Sequence, residues 1–243
     1  MRDLSFILNK TIAHRGLHDI DNKIYENSIE AFKRAIKKGY VIELDLHILK
    51  DSTIVVFHDN TLKRIFGIDN KIKDYTYEEL SKIEINGYKI CTFKEVLKLV
   101  NGKVPLIIEF KTDITDHSLE RESMKILKDY KGKYVVQSFS PLIIKYFKDN
   151  YPDVIRGQLA CKTWSVKYNP FVKFLCSRLM FNKITKPDFV NISVNDYSMK
   201  ELKKIKKKNK YVFGWVVREK DKYDYYSKYY DNLVCEKFLT NNK

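Results

Sequence analysis

Short apolar runs, many of them β-branched, recur along the chain and alternate with stretches of helical spacing. Thr11-Ile12-Ala13 is the first and ends at His14-Arg15-Gly16. Tyr40 to Asp45 is the second, breaking from Val41-Ile42 into Glu43-Leu44-Asp45; Thr53 to Phe57, the third, ends at His58-Asp59. Val104 to Ile108 runs into Glu109-Phe110-Lys111, and Tyr134 to Ser138, Val154 to Leu159, Asp188 to Val194 and Tyr211 to Val217 complete the series. Between them, Ile29, Ala31, Phe32, Ala35 and Ile36 have helical spacing behind an Asn27 or Ser28 cap, with Gly39 as a stop. Thr92 to Val100 puts Phe93, Val96, Leu97 and Val100 on one face, Leu119 to Asp129 is a further helix, and Pro141 opens another through Phe147. Strands this apolar are buried on both faces, as in parallel β/α units. Their number predicts an α/β protein built as a TIM-type (β/α)8 barrel. The more polar residues 60–90, with a short helix from Tyr77 to Ile83, read as a small insertion after the third strand. No repeat or Gly/Ser linker divides the chain, so residues 1–243 are expected to form a single barrel domain.

Composition narrows the class. A hydrophobic content of 44% supplies a real core, yet no apolar run has the length of a membrane span. The first residues lack a signal peptide's long apolar segment, and a cytoplasmic protein is expected. Cys91, Cys161, Cys176 and Cys235 form neither CxxC pairs nor zinc-ligand spacings, so buried, reduced thiols are expected.

Lys and Arg total 46 against 31 acids, a net charge of +15, which favours phosphoesters, nucleic acid or an anionic membrane face as partners. The lysine run from Lys203 to Lys208, with Leu202 and Ile205 on one side, reads as the solvated face of a helix, and no nucleic-acid recognition motif accompanies it. Phe171, Val172, Phe174, Leu175, Leu179 and Met180, with Lys173 and Arg178 between them, read first as a helix or lid packed on the core. Weak peripheral membrane contact is the other reading of that segment.

Chemistry collects where the first four predicted strands end. In a β/α barrel those ends share one face, which carries the active site. In a strand, Glu43 and Asp45 project to the same side; with Glu109 they offer oxygen donors only, which suits one hard divalent cation, Mg²⁺ or Ca²⁺. Arg15 and Lys111 bring positive charge for phosphate oxygens. His14 and His58 titrate near neutrality, so one can accept a proton while the other donates. Together these groups describe attack on a phosphodiester. His18, His47 and His117 read as scaffold, Ser138 as structural or edge of the substrate site, Asp59 as an orienter of His58 or plain loop, and Trp215 as a hydrophobic wall.

His14-Arg15-Gly16, Glu26-Asn27-Ser28, Glu43-Leu44-Asp45, His58-Asp59, Glu109-Phe110-Lys111, Ser138-Phe139 and Trp215 resemble, in order and approximate spacing, the motifs of the glycerophosphodiester phosphodiesterase family. The resemblance implies a β/α barrel that hydrolyses glycerophosphodiesters, small-molecule substrates, to glycerol 3-phosphate and an alcohol in a metal-dependent reaction. It implies acid/base roles for His14 and His58, metal ligation by Glu43, Asp45 and Glu109, and phosphate contacts by Arg15 and Lys111. Tyr25 departs from the family's usual proline, Ser52 from its glycine and Val216 from its threonine, and Cys235-Glu236-Lys237-Phe238 stands in place of Thr-Asp-x-Pro. The alternatives are a related barrel acting on lysophospholipids or sphingolipids, and a non-catalytic phosphoester-binding protein. The oligomeric state is left open.

Overall fold

The computed structural model describes residues 2–111, 116–163 and 169–239. Among them, nine strands form one sheet: β1 (Ile12–Ala13), β2 (Val41–Ile48), β3 (Ile54–Val56), β4 (Leu106–Phe110), β5 (Tyr134–Ser138), β6 (Arg156–Ala160), β7 (Phe189–Ser193), β8 (Val212–Val217) and β9 (Asn232–Cys235). The helices are α1 (Ile29–Lys37), α2 (Lys63–Phe66), α3 (Tyr77–Leu80), α4 (Phe93–Val100), α5 (Ser118–Leu127), α6 (Pro141–Asn150), α7 (Pro170–Ser177), α8 (Asn182–Thr185), α9 (Met199–Lys206) and α10 (Lys220–Tyr226).

Eight strands are parallel and close on themselves, because β1 pairs with β2 on one side and with β9 on the other. The fold is thus a (β/α)8 barrel. Its eight strands differ by one from the expected set: β3 lies outside the ring, antiparallel on the end of β2, and β9 is the strand that closes it. The insertion therefore begins after the second barrel strand and includes β3. Asn232–Cys235 has only four residues and opens on a polar one, so its apolar pattern is weak; the unpaired edge of β1 is what it satisfies.

Strand parity divides the core. Ile42, Leu44, Leu46 and Ile48 of β2 face outward into the main cluster beneath the helices, with Phe32, Phe93, Val96 and Phe147. The inward set at the base of the barrel is Ile12, Val41, Ile107, Val135, Phe189, Phe213 and Val234, closed by Leu4 and Ile7 of the N-terminal segment. Gly157 makes room for this layer: a Cβ there would lie 2.2 Å from the Phe189 ring.

The insertion carries its own apolar cluster of Tyr25, Leu49, Val55, Phe57, Leu62, Ile72, Leu80, Tyr88 and Ile90. Tyr25, which departs from the family's proline, stacks on Tyr88 at 4.9 Å and so ties the first barrel loop to the insertion. Ser52 has φ 65°, the left-handed conformation that explains a glycine preference in that turn. Segment 171–180 is helical over most of its length and Leu179 packs against the main core, but it does not lie on the core throughout as the expected helix or lid would. In α7 only Cys176 and Ser177 are buried, and Phe171 and Phe174 face outward.

Candidate active site

The mouth of the barrel is built by extending the base pattern two residues up each strand. Where β2 buries Val41, it next presents Glu43 and Asp45 inward; β4 follows Ile107 with Glu109, and the chain beyond β1 and β9 follows Ile12 and Val234 with His14 and Glu236. His58 arrives differently. β2 rises past the barrel rim, β3 returns antiparallel along it, and the Phe57 N–H donates to the Asp45 carbonyl at 3.0 Å. The hairpin therefore brings His58 back down to the level of Asp45.

Glu43, Asp45 and Glu109 are all buried, and one carboxylate oxygen from each lies within 4.8 Å of the others. Two oxygens bound to one Mg²⁺ or Ca²⁺ are separated by at most about twice the metal–oxygen distance of 2.0–2.6 Å, so this spacing and donor set fit such an ion. Burial, and then the neighbouring charges of Asp45 and Glu109, push the Glu43 carboxyl well above the usual carboxylate range. A divalent cation relieves that repulsion. Asn27 Nδ2 donates to Asp45 Oδ2 at 2.8 Å, while its buried Oδ1 has no hydrogen-bond partner among the described residues. That orphaned acceptor also suits a cation or its water.

Lys111 Nζ lies 2.7 Å from Asp45 Oδ1 and 2.6 Å from Glu109 Oε1. Although burial disfavours its charge, these two carboxylates hold the ammonium protonated. Asp45 is likewise held ionised against burial by Lys111, with His58 and Arg15 contributing.

Arg15 stands at φ 54°, a conformation sparsely populated by residues other than glycine. That turn points its N–H at Glu43 Oε2 (3.1 Å), its Nη1 at Glu26 Oε1 (2.7 Å) and its Nε towards Asp45 Oδ2 (3.4 Å). Gly16 completes the turn at φ 79°; a Cβ there would lie 2.9 Å from the Phe32 ring.

The two histidines are oriented alike. His14 Nδ1 is 2.6 Å from Glu236 Oε2, and His58 Nδ1 is 2.6 Å from Asp59 Oδ1. Both carboxyls are held ionised against burial, Glu236 by the hydrogen bond from His14 with His18 close by at 3.6 Å, Asp59 by His58 and Arg64. An ionised carboxylate only accepts, so each Nδ1 carries a proton and each Nε2 is left as the basic nitrogen. Burial and the adjacent Arg15 lower the His14 pKa to about 4 despite Glu236, which keeps that ring neutral at physiological pH.

The remaining residues form the frame. Arg64 of α2 donates through Nη2 to Glu26 Oε1 and through Nε to Asp59 Oδ2, each at 2.6 Å, linking the insertion to both the Arg15 and the His58 sides. Two Arg partners outweigh burial and lower the Glu26 pKa to about 2. Inside the barrel, Asn191 Nδ2 donates to Gln137 Oε1 (3.0 Å) and Gln137 Nε2 to Glu43 Oε1 (3.3 Å). Trp215 donates through Nε1 to the Asn191 carbonyl and meets Phe139 edge-on, ring centres 5.6 Å apart, as an aromatic wall.

Residues 14–241 match the sequence model of the "Glycerophosphoryl diester phosphodiesterase family". The chain belongs to that family. A glycerophosphodiester phosphodiesterase of Caldanaerobacter subterraneus is 35% identical over 162 residues, 61% of this chain and 65% of its own. The human lysophospholipase D GDPD1 is 27% identical over 203 residues, 75% of this chain and 63% of its own. The chain thus spans less than two thirds of these curated relatives. Among solved structures, the Thermotoga maritima glycerophosphodiester phosphodiesterase superposes with a TM-score of 0.72 at 26% identity, covering 96% of this chain and 97% of that one.

Of the predicted site residues, the structure gathers His14, Arg15, Glu43, Asp45, His58, Glu109 and Lys111 around one mouth, with Trp215 at its wall. Sequence reasoning gave no site role to Glu236, Glu26, Asn27 or Arg64, although Glu26-Asn27-Ser28 stood among the motifs of the resemblance. Glu236 had a signal, since it occupies the acid position of the family's Thr-Asp-x-Pro although the rest of that motif differs. Arg64 had none, because its role depends on how the insertion folds. Ser138 is structural: its Oγ donates to the Phe110 carbonyl and accepts from the Ser140 N–H. His47 lies within β2 rather than beyond it and reaches the His58 carbonyl at 3.2 Å; His18 Nε2 is 3.6 Å from Glu236, nearer the site than a scaffold role requires.

Proposed function

We propose that the chain is a cation-dependent phosphoric diester hydrolase that converts glycerophosphodiesters to glycerol 3-phosphate and an alcohol. The observation that carries this reading is one mouth holding three buried carboxylates, two cationic side chains and two histidines presented through carboxylate-held Nδ1 atoms. Family membership supports the same reaction class. Glu43, Asp45 and Glu109 would hold one Mg²⁺ or Ca²⁺, which when bound neutralises charge on the phosphoryl oxygens. Arg15 and Lys111 contact the same phosphate, as fixed charges in a site largely shielded from water. His14, held neutral, accepts through Nε2 the proton of the attacking oxygen, which is water in direct hydrolysis or the neighbouring glycerol hydroxyl in a route through a cyclic phosphate that water then opens. His58, protonated on both ring nitrogens for this step, donates from Nε2 to the departing alkoxide while Asp59 holds its Nδ1 proton, so that the new P–O bond forms as the old one breaks with no charge left on the alcohol. Trp215 with Phe139 walls the substrate. Residues 1–243 act in this reading as one barrel domain, with an insertion that starts at β3 and runs on through residues 60–90. A reducing, cytoplasmic setting is supported by four free cysteines, all buried.

The test is release of glycerol 3-phosphate from glycerophosphocholine with and without EDTA. Loss of product with chelator and its return on adding Mg²⁺ or Ca²⁺ are expected. Binding of phosphoesters without turnover of any glycerophosphodiester, by metal-replete protein, would replace the enzyme with the binding-protein reading. The ligand set has a readout separate from turnover: added Mg²⁺ or Ca²⁺ should raise the melting temperature of the native protein and leave that of Glu43→Gln unmoved.

A further inference from the structure

The outer surface between α6, α7 and α8 carries large apolar side chains that no other part of the described chain covers. Leu142 is 63% exposed, Phe171 67%, Phe174 51%, and Met180 and Ile184 54% each. They are concentrated in two short stretches of chain rather than scattered, and a concentrated patch marks a contact surface. Phe171 and Phe174 are one turn apart on α7, followed by Arg178, whose guanidinium lies over the Phe174 ring at 5.3 Å. On the adjoining side of α7, Val172 and Cys176 line an apolar groove of about 450 Å³ with Leu142, Phe181 and Ile184.

Charge says what covers it. The charged residues between Pro170 and Lys186 are Lys173, Arg178, Lys183 and Lys186, with no acid among them. Lys145 lines the same groove, and the nearby acid, Asp149, is already engaged by Lys145 and Lys148. Exposed aromatics ringed by cations, without an acid to repel phosphate headgroups, match an anionic lipid surface. A protein partner of the same complementarity would need acids opposite every cation and a groove-filling helix. A lipid leaflet supplies both charge and apolar depth without a specific shape.

The patch also has a place relative to the mouth. Phe139 lines the groove and touches Trp215 at the wall of the active site, so groove and mouth share one rim of the barrel. We propose that α7 and α8, with Leu142 at the start of α6, dock peripherally on anionic bilayers and hold the barrel mouth at the headgroup layer. This contact is independent of the catalytic reading and is tested without turnover.

The experiment is co-sedimentation of the full chain with vesicles of phosphatidylcholine alone or mixed with phosphatidylglycerol, at low and at high salt. Binding to the mixed vesicles, weakened by salt and lost by at least about tenfold in the double variant Phe171→Ser/Phe174→Ser, is expected. Both positions are exposed, so the variant should keep the native circular dichroism and melting temperature. Absence of binding to anionic vesicles, equal binding to neutral ones, or binding untouched by the double variant would overturn the proposal. Sedimentation velocity covers the other occupant: a native dimer that dissociates in the double variant, with no vesicle binding, would assign the patch to self-association instead.

Discussion

The base and the mouth of the barrel are made by the same strands, and they differ by a step of two residues. Val41 precedes Glu43, Ile107 precedes Glu109, Val135 precedes Gln137, Phe189 precedes Asn191, and Ile12 and Val234 precede His14 and Glu236. Below, inward positions fill space, and their worth lies in volume and contact. Above, inward positions hold charge away from water, at a cost that only partners offset. Asp45, Lys111 and Glu236 are strongly held ionised there, whereas Glu43 is pushed towards its protonated form by burial and then by the neighbouring acids Asp45 and Glu109. The base is therefore complete as it stands. The mouth, in the proposed reading, is completed by a cation and a phosphate.

The largest effect should separate the two layers by activity. His14→Ala or His58→Ala is expected to lower turnover by about 10²–10⁴-fold without lowering the melting temperature. Full activity in either variant would break the assignment. One layer down the outcome should reverse: Phe189→Ala is expected to cost about 3–5 kcal/mol in a denaturant melt, leaving KM unchanged at a temperature where the variant is folded. A changed KM with intact stability would mean that base and mouth are not separable.

A smaller effect tests the frame around the mouth. Glu26 is held by Arg15 and Arg64, and its pKa in the fold is about 2 against an ordinary glutamate value of 4.5. Between those values the unfolded chain binds the proton more tightly, so the stabilisation is full above pH 4.5 and is lost as pH falls towards 2. Glu26→Gln should therefore cost about 1–3 kcal/mol at pH 7, with the gap to the native protein closing as pH falls below 4.5. A gap that stays constant with pH would remove the ion pairs as its cause.

The alternation of apolar runs and helical spacing was enough to read the fold class, because buried parallel strands and amphipathic helices are local patterns with short periods. Caps were legible for the same reason: Ser28 accepts from the Ala31 N–H, and Thr92 with Glu95 closes a capping box. Strand parity alone placed Glu43 with Asp45. Which strands enter the ring was not legible. Thr53 to Phe57 is the stronger apolar run, yet β3 is left outside; the weaker Asn232–Cys235 closes the barrel because β1 requires a second neighbour.

The sequence by itself determined a barrel of β/α units and the residue types clustered at its strand ends, since both follow from periodicity and from carboxylates and histidines standing where packing would place apolar groups. Only the tertiary structure decided that His58 returns to the mouth by a hairpin, that Glu236 orients the His14 imidazole, and that Arg64 fastens the insertion to Glu26. Those pairings join residues 38 and 222 positions apart. No local pattern selects among partners at such separations, because the distance between them is set by closure of the ring.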